Sequence, residues 1–207
     1  MLNFINFLIE AARVKKTVVF SFGRMNPPTV GHQKLVDTVT RLAKQNHAHH
    51  EIVLSHSQDP AKNPLTAEQK VRHARAAFPG VNITAASKEE PTLIHHLARL
   101  HRAGHEHAII VAGGDRVKEY QDLVDRYNGK ADKKGNIPFN FKSVKVVSAG
   151  SRDPDAEGAS GMSASKMRDA VKRRDRKSFH AGAPSTMTPA QRDAMFDDVS
   201  KGMGIRD

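Results

Sequence analysis

The sequence has 207 residues, a formal net charge of +11 and no cysteine. This length is enough for one domain with a hydrophobic core, and the absence of thiols excludes disulfides, thiolate zinc sites and cysteine nucleophiles. The positive charge favours polyanionic partners such as nucleotides or nucleic acid, but an aromatic content of 5% argues against a stacking surface for single-stranded nucleic acid. A chain without cysteine suits a reducing compartment, so we expect a cytoplasmic protein.

The first 16 residues are predicted to form an N-terminal extension. Met1–Glu10 is apolar, but it is too short to span a bilayer and lacks the pattern of a secretory signal. It predicts a short amphipathic helix that docks on the domain or on a partner. We therefore expect no membrane association.

The next segment predicts a strand, a loop and a helix in succession. Thr17–Phe22 is short, β-branched and aromatic, as expected for a buried central strand. Gly23–Gly31 contains two prolines and two glycines and cannot be helical. From His32 onward, apolar residues fall on one helical stripe: Leu35, Val39 and Leu42.

The alternation of strand and helix then continues along the chain. Further strands are predicted at Glu51–Ser55, Val81–Ala85, His107–Ala112 and Lys142–Ser148. Further helices are predicted at Thr66–Phe78, Thr92–Arg102, Arg116–Tyr127 and Ser163–Arg174. This alternation predicts an α/β protein, a Rossmann-like three-layer α/β/α domain with a mostly parallel sheet. We place the domain at residues 17–182, followed by a tail at 183–207 that we expect to be an appendage with a marginal helix.

The loop after the first predicted strand is a candidate phosphate-binding site. In open parallel sheets this turn is a usual phosphate cradle, and the start of the following helix offers main-chain amides and a positive dipole end. Glycines at 23 and 31 let the main chain approach a phosphate. Arg24, Thr29 and His32 add a guanidinium, a hydroxyl and an imidazole donor. The spacing predicts one site.

The same loop resembles a known signature. Gly23–His32 reads G-R-x-N-P-P-T-x-G-H and resembles the phosphate loop of the nucleotidyltransferase superfamily, which ends in H-x-G-H or T-x-G-H. It is similar to archaeal-type nicotinamide mononucleotide adenylyltransferases, while the threonine variant is similar to phosphopantetheine adenylyltransferases. The sequence departs from many relatives at Thr29, where they have histidine.

Two further segments resemble the same superfamily in the same order. Gly161–Arg168 is similar to the I-S-S-T-x-x-R motif, with Ser163, Ser165 and Arg168 in the matching positions. Ser55–Gln58 and Asn63–Gln69 are similar to the G-S-A-Q and N-P-F-T-x-x-E segments of the adenylyltransferases. The three matches extend from Thr17 to Arg174, so the resemblance covers most of the chain.

The resemblance implies an enzyme that transfers a nucleoside monophosphate, with AMP favoured, from a nucleoside triphosphate to a phosphate of a small acceptor such as nicotinamide mononucleotide. The implied catalytic residues are His32, Thr29 and Arg168. The implied nucleotide-binding residues are Phe22, Gly23, Arg24, Asn26, Gly31, Gly113, Asp115, Ser163 and Ser165. The implied acceptor-binding residues are Ser57, Asn63 and Phe139. We also consider Lys34, Lys62 and Lys70 as further phosphate contacts.

Magnesium is the expected cofactor. It would arrive with the bound nucleotide, because it bridges phosphate oxygens and keeps several waters, so no dedicated protein ligands are needed. The chain has 12 histidines, but no pair follows a recognised spacing of metal ligands, so we predict no structural metal.

Two alternatives stay open at this point, and a homo-oligomer is compatible with either. The protein could be a cytidylyltransferase that acts on another phosphate acceptor. It could also be a basic inner-capsid or nucleic-acid-associated protein that keeps the fold. Leu8-Ile9-Glu10 before Ala11 resembles the L-x-E site at which large tailed phages cleave internal capsid proteins. If the protein is phage-encoded, residues 1–10 are a propeptide and the location is the host cytoplasm or the virion interior.

Overall fold

A parallel sheet of five strands forms the centre of the part of the chain that the structure describes, residues 16–150 and 162–205 of a computed structural model. Residues 1–15 of the predicted extension, with the cleavage site, therefore lie outside the described residues. The strands are β1 (Thr17–Gly23), β2 (His49–Leu54), β3 (Ile83–Ala85), β4 (His107–Ala112) and β5 (Ser143–Ser148). Their spatial order is β3-β2-β1-β4-β5, and every neighbouring pair is parallel. The predicted parallel sheet is confirmed, with β1 at its centre.

Seven α-helices accompany the sheet within the described ranges. They are α1 (Gln33–Gln45), α2 (Ala67–Ala77), α3 (Leu93–Arg102), α4 (Val117–Tyr127), α5 (Ala164–Lys172), α6 (Arg176–Gly182) and α7 (Pro189–Gly202). Short 3-10 turns at Val30–His32 and Gly114–Arg116 lead into α1 and α4. None of these helices is long and apolar enough to cross a membrane. Helix α6 was not predicted from the sequence. It begins after Asp175, whose side chain accepts a hydrogen bond from the main-chain N–H of Ser178.

The sheet separates two hydrophobic clusters, one on each face. Side chains along a strand alternate between the two faces of the sheet. Val19 of β1 belongs to the cluster that contains residues of α1, α2, α5, α6 and α7. Val18 and Phe20 belong to the cluster on the other face, which contains residues of α3 and α4. All three side chains are fully buried. Helices cover both faces of the sheet, which is the predicted three-layer α/β/α arrangement.

The C-terminal segment is part of the core, which corrects the expectation of an appendage. Met195, Phe196 and Val199 of α7 are buried in the same cluster as Val19 of β1. The rings of Phe179 and Phe196 meet edge to face, with 5.1 Å between their centroids. The structure therefore shows no break in packing at residue 182. The prediction was wrong because this helix is polar over most of its length and carries only a short apolar stripe.

Candidate active site

A crevice of about 900 Å³ opens at the carboxyl ends of β1 and β4. It is lined by parts of three chain segments that lie far apart in the sequence: Gly23–Asn26 with His32, Gly113–Arg116, and residues of Ser163–Arg168. Open α/β sheets bind ligands at this edge, beyond the carboxyl ends of their strands. The two segments predicted to bind phosphate therefore share one cavity.

Direct contacts hold the first loop against the start of α5. The guanidinium of Arg168 donates to the main-chain oxygen of Asn26 at 2.8 Å and to the hydroxyl of Ser165 at 3.0 Å. Gly31 lies against Met162, since a Cβ at position 31 would come within 2.5 Å of the Met162 carbonyl oxygen. The imidazole of His32 and the guanidinium of Arg168 thus lie on the same side of the molecule.

The turn before α1 fixes the tautomer of His32. Its Nδ1 accepts the main-chain N–H of Thr29 at 3.0 Å, and the Thr29 hydroxyl lies 3.0 Å from the same nitrogen. A neutral imidazole whose Nδ1 accepts a hydrogen bond carries its proton on Nε2. His32 also lines the crevice. The ring is therefore held in one orientation, with its proton on Nε2.

Two residues of this loop have different surroundings from those expected. Thr29 is fully buried and does not line the crevice; its hydroxyl accepts the N–H of Gly31 at 3.1 Å and thereby caps the 3-10 turn. We expected this hydroxyl to contact phosphate, whereas the structure uses it to orient His32. Gly31 was expected to admit a phosphate, but the group that approaches it closely is the Met162 carbonyl.

Asn26 connects the first loop to the segment that begins α2. Its side-chain Nδ2 donates to the Leu65 carbonyl at 3.3 Å, and its Oδ1 accepts the Leu65 N–H at 3.0 Å. The residue lines the crevice, but these two bonds commit its side chain to the protein main chain. Asn26 therefore shapes the crevice by tying the first motif to the Asn63–Gln69 motif.

Positive charge dominates the crevice. Among the described residues that line it, four are cationic, namely Arg24, Lys62, Arg116 and Arg168, and Asp115 is the acidic one. Burial lowers the pKa of Arg168, and the nearby charge of Arg24 lowers it further. Arg116 differs from the others because its guanidinium forms a bidentate pair with Glu119, at 3.1 and 2.7 Å. An anion in the crevice would relieve the repulsion between Arg24 and Arg168.

Residues 20–170 match the family model described as cytidylyltransferase-like. The chain belongs to the cytidylyltransferase-like family. The match extends from β1 into α5 and so contains both predicted phosphate-binding segments. This family membership agrees with the resemblance of the motifs to the nucleotidyltransferase superfamily.

A solved structure of Thermotoga maritima TmcAL bound with alpha-thio ATP has a similar fold. The two chains share 9% sequence identity and superpose with a TM-score of 0.52, over 91% of this chain and 56% of TmcAL. This chain therefore spans little more than half of TmcAL, and at this identity the likeness is one of fold. The comparison with curated proteins gave no match.

The crevice of this cytidylyltransferase-like domain has a side branch of about 490 Å³ toward the end of β2. The branch shares Phe22, Arg24, Asp115 and Arg116 with the main crevice and adds Ser55, Ser57 and Glu119. The hydroxyls of Ser55 and Ser57 lie 3.0 Å apart. Hydroxyl groups beside Arg24 suit a phosphate monoester, and the carboxylates suit hydroxyl groups of a sugar.

The other two residues predicted to bind the acceptor lie outside the crevice. Phe139 is 1% exposed, and its ring packs on Phe141 in the cluster beneath α3 and α4. The side-chain amide of Asn128 holds this segment in place, because its Nδ2 donates to the Phe141 carbonyl and its Oδ1 accepts the Phe141 N–H. Asn63 is also buried, and its Nδ2 donates to Asp59 at 2.5 Å. The structure therefore corrects both placements, and Ser57 alone of the three predicted acceptor residues lines the branch.

One residue supports the crevice in a role that the sequence did not predict. Tyr120 of α4 is buried, and its hydroxyl donates to the Phe22 carbonyl at 2.8 Å, which ties α4 to the end of β1. The Arg116 guanidinium lies over the Tyr120 ring, 5.0 Å from its centroid. Burial raises the pKa of Tyr120, so its phenol stays protonated and able to donate. The available signal was a tyrosine on the apolar stripe of a helix, where a leucine would fill the same space.

Proposed function

We propose that the protein transfers AMP from ATP to the phosphate of a small acceptor and releases pyrophosphate. The supporting observation is that the His32 imidazole and the Arg168 guanidinium line one crevice, at the edge of the sheet where such ligands bind. A site of this kind needs no covalent enzyme intermediate. It accelerates the reaction by placing two reactants in line and by neutralising charge on phosphoryl oxygens.

The proposed step is an in-line displacement. An oxygen of the acceptor phosphate attacks the α-phosphorus of ATP, and the bond from that phosphorus to the α,β-bridging oxygen breaks as pyrophosphate leaves. His32 donates its Nε2–H to a non-bridging α-phosphate oxygen, and Arg168 offsets the charge of the β- and γ-phosphates. Arg24 lines both the crevice and its side branch, so its guanidinium lies between the triphosphate and the acceptor phosphate and offsets the charge of both. Thr29 acts through His32 by holding its ring.

The start of α5 contributes at the pyrophosphate end. Ser163 is the N-cap of α5, and its hydroxyl accepts the Lys166 N–H at 3.2 Å. The first turn of the helix therefore faces the crevice with its positive dipole end. Ser165 holds the Arg168 fork in place and supplies its own main-chain N–H to a phosphate oxygen.

The end of β4 is the proposed contact for the nucleoside. Gly113 and Asp115 line the crevice, and the Asp115 carboxylate folds back over Gly113, such that a Cβ at 113 would come within 2.7 Å of Asp115 Oδ1. A carboxylate in this position accepts hydrogen bonds from ribose hydroxyls. A side chain at position 113 would displace it.

Magnesium is the proposed companion of the nucleotide. Within residues 16–150 and 162–205, no group of three or more histidine and carboxylate side chains is arranged to hold a metal ion. This donor set fits an ion held mainly by phosphate oxygens and water, with Asp115 as the carboxylate on the lining. Bound magnesium would supply charge neutralisation at the phosphates.

The side branch is the proposed acceptor site. Phe22, Arg24 and Ser57 line it, which suits a phosphate monoester that carries a planar or sugar group, as in nicotinamide mononucleotide.

Cytidylyl transfer to another phosphate acceptor is the second candidate, because the matching family is described as cytidylyltransferase-like. A location inside a phage particle stays a prediction from Leu8–Ala11.

A pyrophosphate-release assay tests the proposal. The enzyme is incubated with magnesium and either ATP or CTP, across a panel of nicotinamide mononucleotide, phosphopantetheine, glycerol phosphate and phosphocholine. We expect release with ATP and nicotinamide mononucleotide. Calorimetry with each nucleotide then fixes the donor, and a preference for CTP above about tenfold, or about 1.4 kcal/mol, would overturn adenylyl transfer.

A further inference from the structure

Lys70 is a fully buried lysine behind the wall of the acceptor branch. It lies in α2, and its side chain has 0% exposure. Its Nζ donates to the carbonyl oxygens of Ser55 at 2.7 Å and Ser57 at 2.6 Å. Neither partner is a carboxylate. The protein therefore keeps an ammonium group out of water with main-chain dipoles as its counterparts.

Such an arrangement is costly in free energy. Removing a charge from water is unfavourable unless hydrogen bonds replace its hydration, and a methionine of similar length would fill the space without that penalty. The pKa of Lys70 is lowered to about 8, mainly by burial and in addition by the charge of Arg24 in the loop after β1, while Asp59 in the loop after β2 opposes both. This position disfavours a charged side chain and nevertheless holds a lysine. We infer that the N–H donors of Lys70 have a role that an apolar side chain could not fill.

The segment that Lys70 binds forms one wall of the branch. Residues 55–57 follow directly after β2, and Ser55 and Ser57 line the branch while His56 lines a separate groove beside α2. The main-chain N–H of Ser55 donates to the Gly23 carbonyl at 2.7 Å. Ser55 is thus fixed on one side to the end of β1 and on the other side to Lys70. A shift of this wall would move the Ser57 hydroxyl relative to Arg24.

We propose that Lys70 is a positioning residue for the acceptor phosphate, which it serves by holding the Ser55 and Ser57 carbonyls so that the hydroxyls of the same residues face Arg24. This inference rests on the proposed function, because it assigns the branch to the acceptor. The residue acts through the wall and through its charge, without touching the reacting atoms. Its loss should weaken acceptor binding and leave ATP binding unchanged.

The main test compares Lys70→Met with Lys44→Met, which removes an exposed lysine at the end of α1. With nicotinamide mononucleotide as the acceptor, we expect the acceptor KM of Lys70→Met to rise tenfold or more. The Kd for ATP should stay within twofold, and the control should match the wild type in both. An unchanged acceptor KM, or an equal loss of ATP affinity, would overturn the positioning role.

The pH dependence of the wild-type enzyme is a second readout. As the pH rises through about 8, Lys70 loses its charge, so the acceptor KM should increase above that pH. The charged groups that act on Lys70 are Arg24 and Asp59. The inflection should disappear in Lys70→Met and persist in Ser57→Ala, which removes a hydroxyl but keeps the carbonyl. A pH-independent wild-type KM would contradict the inference.

Hydrogen exchange tests the wall without any need for activity. Amides of residues 55–58 should exchange at least tenfold faster in Lys70→Met, with the amides of β4 unchanged. Equal exchange at 55–58 in the variant and the wild type would overturn the inference by itself. Absence of pyrophosphate release by the wild-type enzyme with every acceptor would instead count against the proposed function, so the two failures are distinguishable. If Lys70→Met does not fold, the pH profiles of the wild type and of Ser57→Ala decide.

Discussion

The two ends of the crevice differ in how their charges are balanced. At the α5 end, the Arg168 guanidinium donates to a main-chain carbonyl and a serine hydroxyl, so both bonds leave its charge in place. At the β4 end, a bidentate bond to Glu119 offsets the charge of Arg116. An uncompensated cation suits a polyphosphate, whereas a compensated one suits the uncharged hydroxyls and base of a nucleoside. Substitutions at the α5 end should therefore reduce ATP binding and turnover more than substitutions at the β4 end.

The largest effect is expected at His32, which lies at the phosphate end. His32→Ala removes the Nε2–H donor that the Thr29 turn orients, and loss of one preoriented transition-state donor typically costs a factor of about 100 or more in turnover. Steady-state turnover measures the loss, and circular dichroism checks that the fold is kept. Lys177→Ala, in α6, is the matched control and should retain wild-type turnover. Normal turnover in His32→Ala would refute its assignment.

Arg168→Ala should have the next largest effect. Loss of its charge-assisted bonds to phosphate should weaken ATP binding about 10- to 100-fold, measured by calorimetry. Arg168→Lys should recover little of this affinity, because the guanidinium reaches Asn26 and Ser165 through two separate nitrogens and a compact ammonium lacks this planar fork. If Arg168→Lys binds ATP as well as the wild type does, a point charge is sufficient for ATP binding, and the planar shape of the guanidinium makes no separate contribution to affinity.

Thr29→Val tests whether the buried hydroxyl acts through His32. The variant loses the bond from Gly31 and the contact with His32 Nδ1, which should cost about 1 kcal/mol of stability and reduce turnover about tenfold through a misplaced ring. Thr29→Ser keeps the hydroxyl and should restore most of the turnover. A rise in the Kd for ATP as large as the fall in turnover would instead indicate direct contact between Thr29 and phosphate.

The phosphate end was predictable from the sequence because its parts are local. The end of a strand, a turn with two glycines and a capped 3-10 turn lie within ten residues at Gly23–His32, and Ser163 caps a second helix start. Local spacing shows which residues are candidates, but it cannot show which way each side chain faces. Thr29 was therefore placed on the ligand, whereas the structure buries it beneath the loop.

The acceptor end was less predictable because long-range contacts build it. Lys70 reaches Ser57 across 13 positions, Tyr120 reaches Phe22 across 98, and Asn26 reaches Leu65 across 39. No local pattern reports such pairs. Phe139 was assigned to the acceptor as an available ring, but the pairing of Asn128 with Phe141 directs that segment into the core. The buried face of α7 was missed because that helix is polar over most of its length and its apolar stripe is short.

The smallest effect is expected at Arg116. Removing the arginine alone would leave Glu119 as an uncompensated anion near the branch, so the informative variant is Arg116→Gln with Glu119→Gln, which keeps the net charge. The side chains of Arg116 and Glu119 are 37% and 54% exposed, and exposed ion pairs contribute little to stability or to the local electrostatic field. The double variant should bind ATP within about threefold of the wild type by calorimetry. A loss as large as that of Arg168→Ala would show that Arg116 binds phosphate directly and that the two ends do not differ in charge balance.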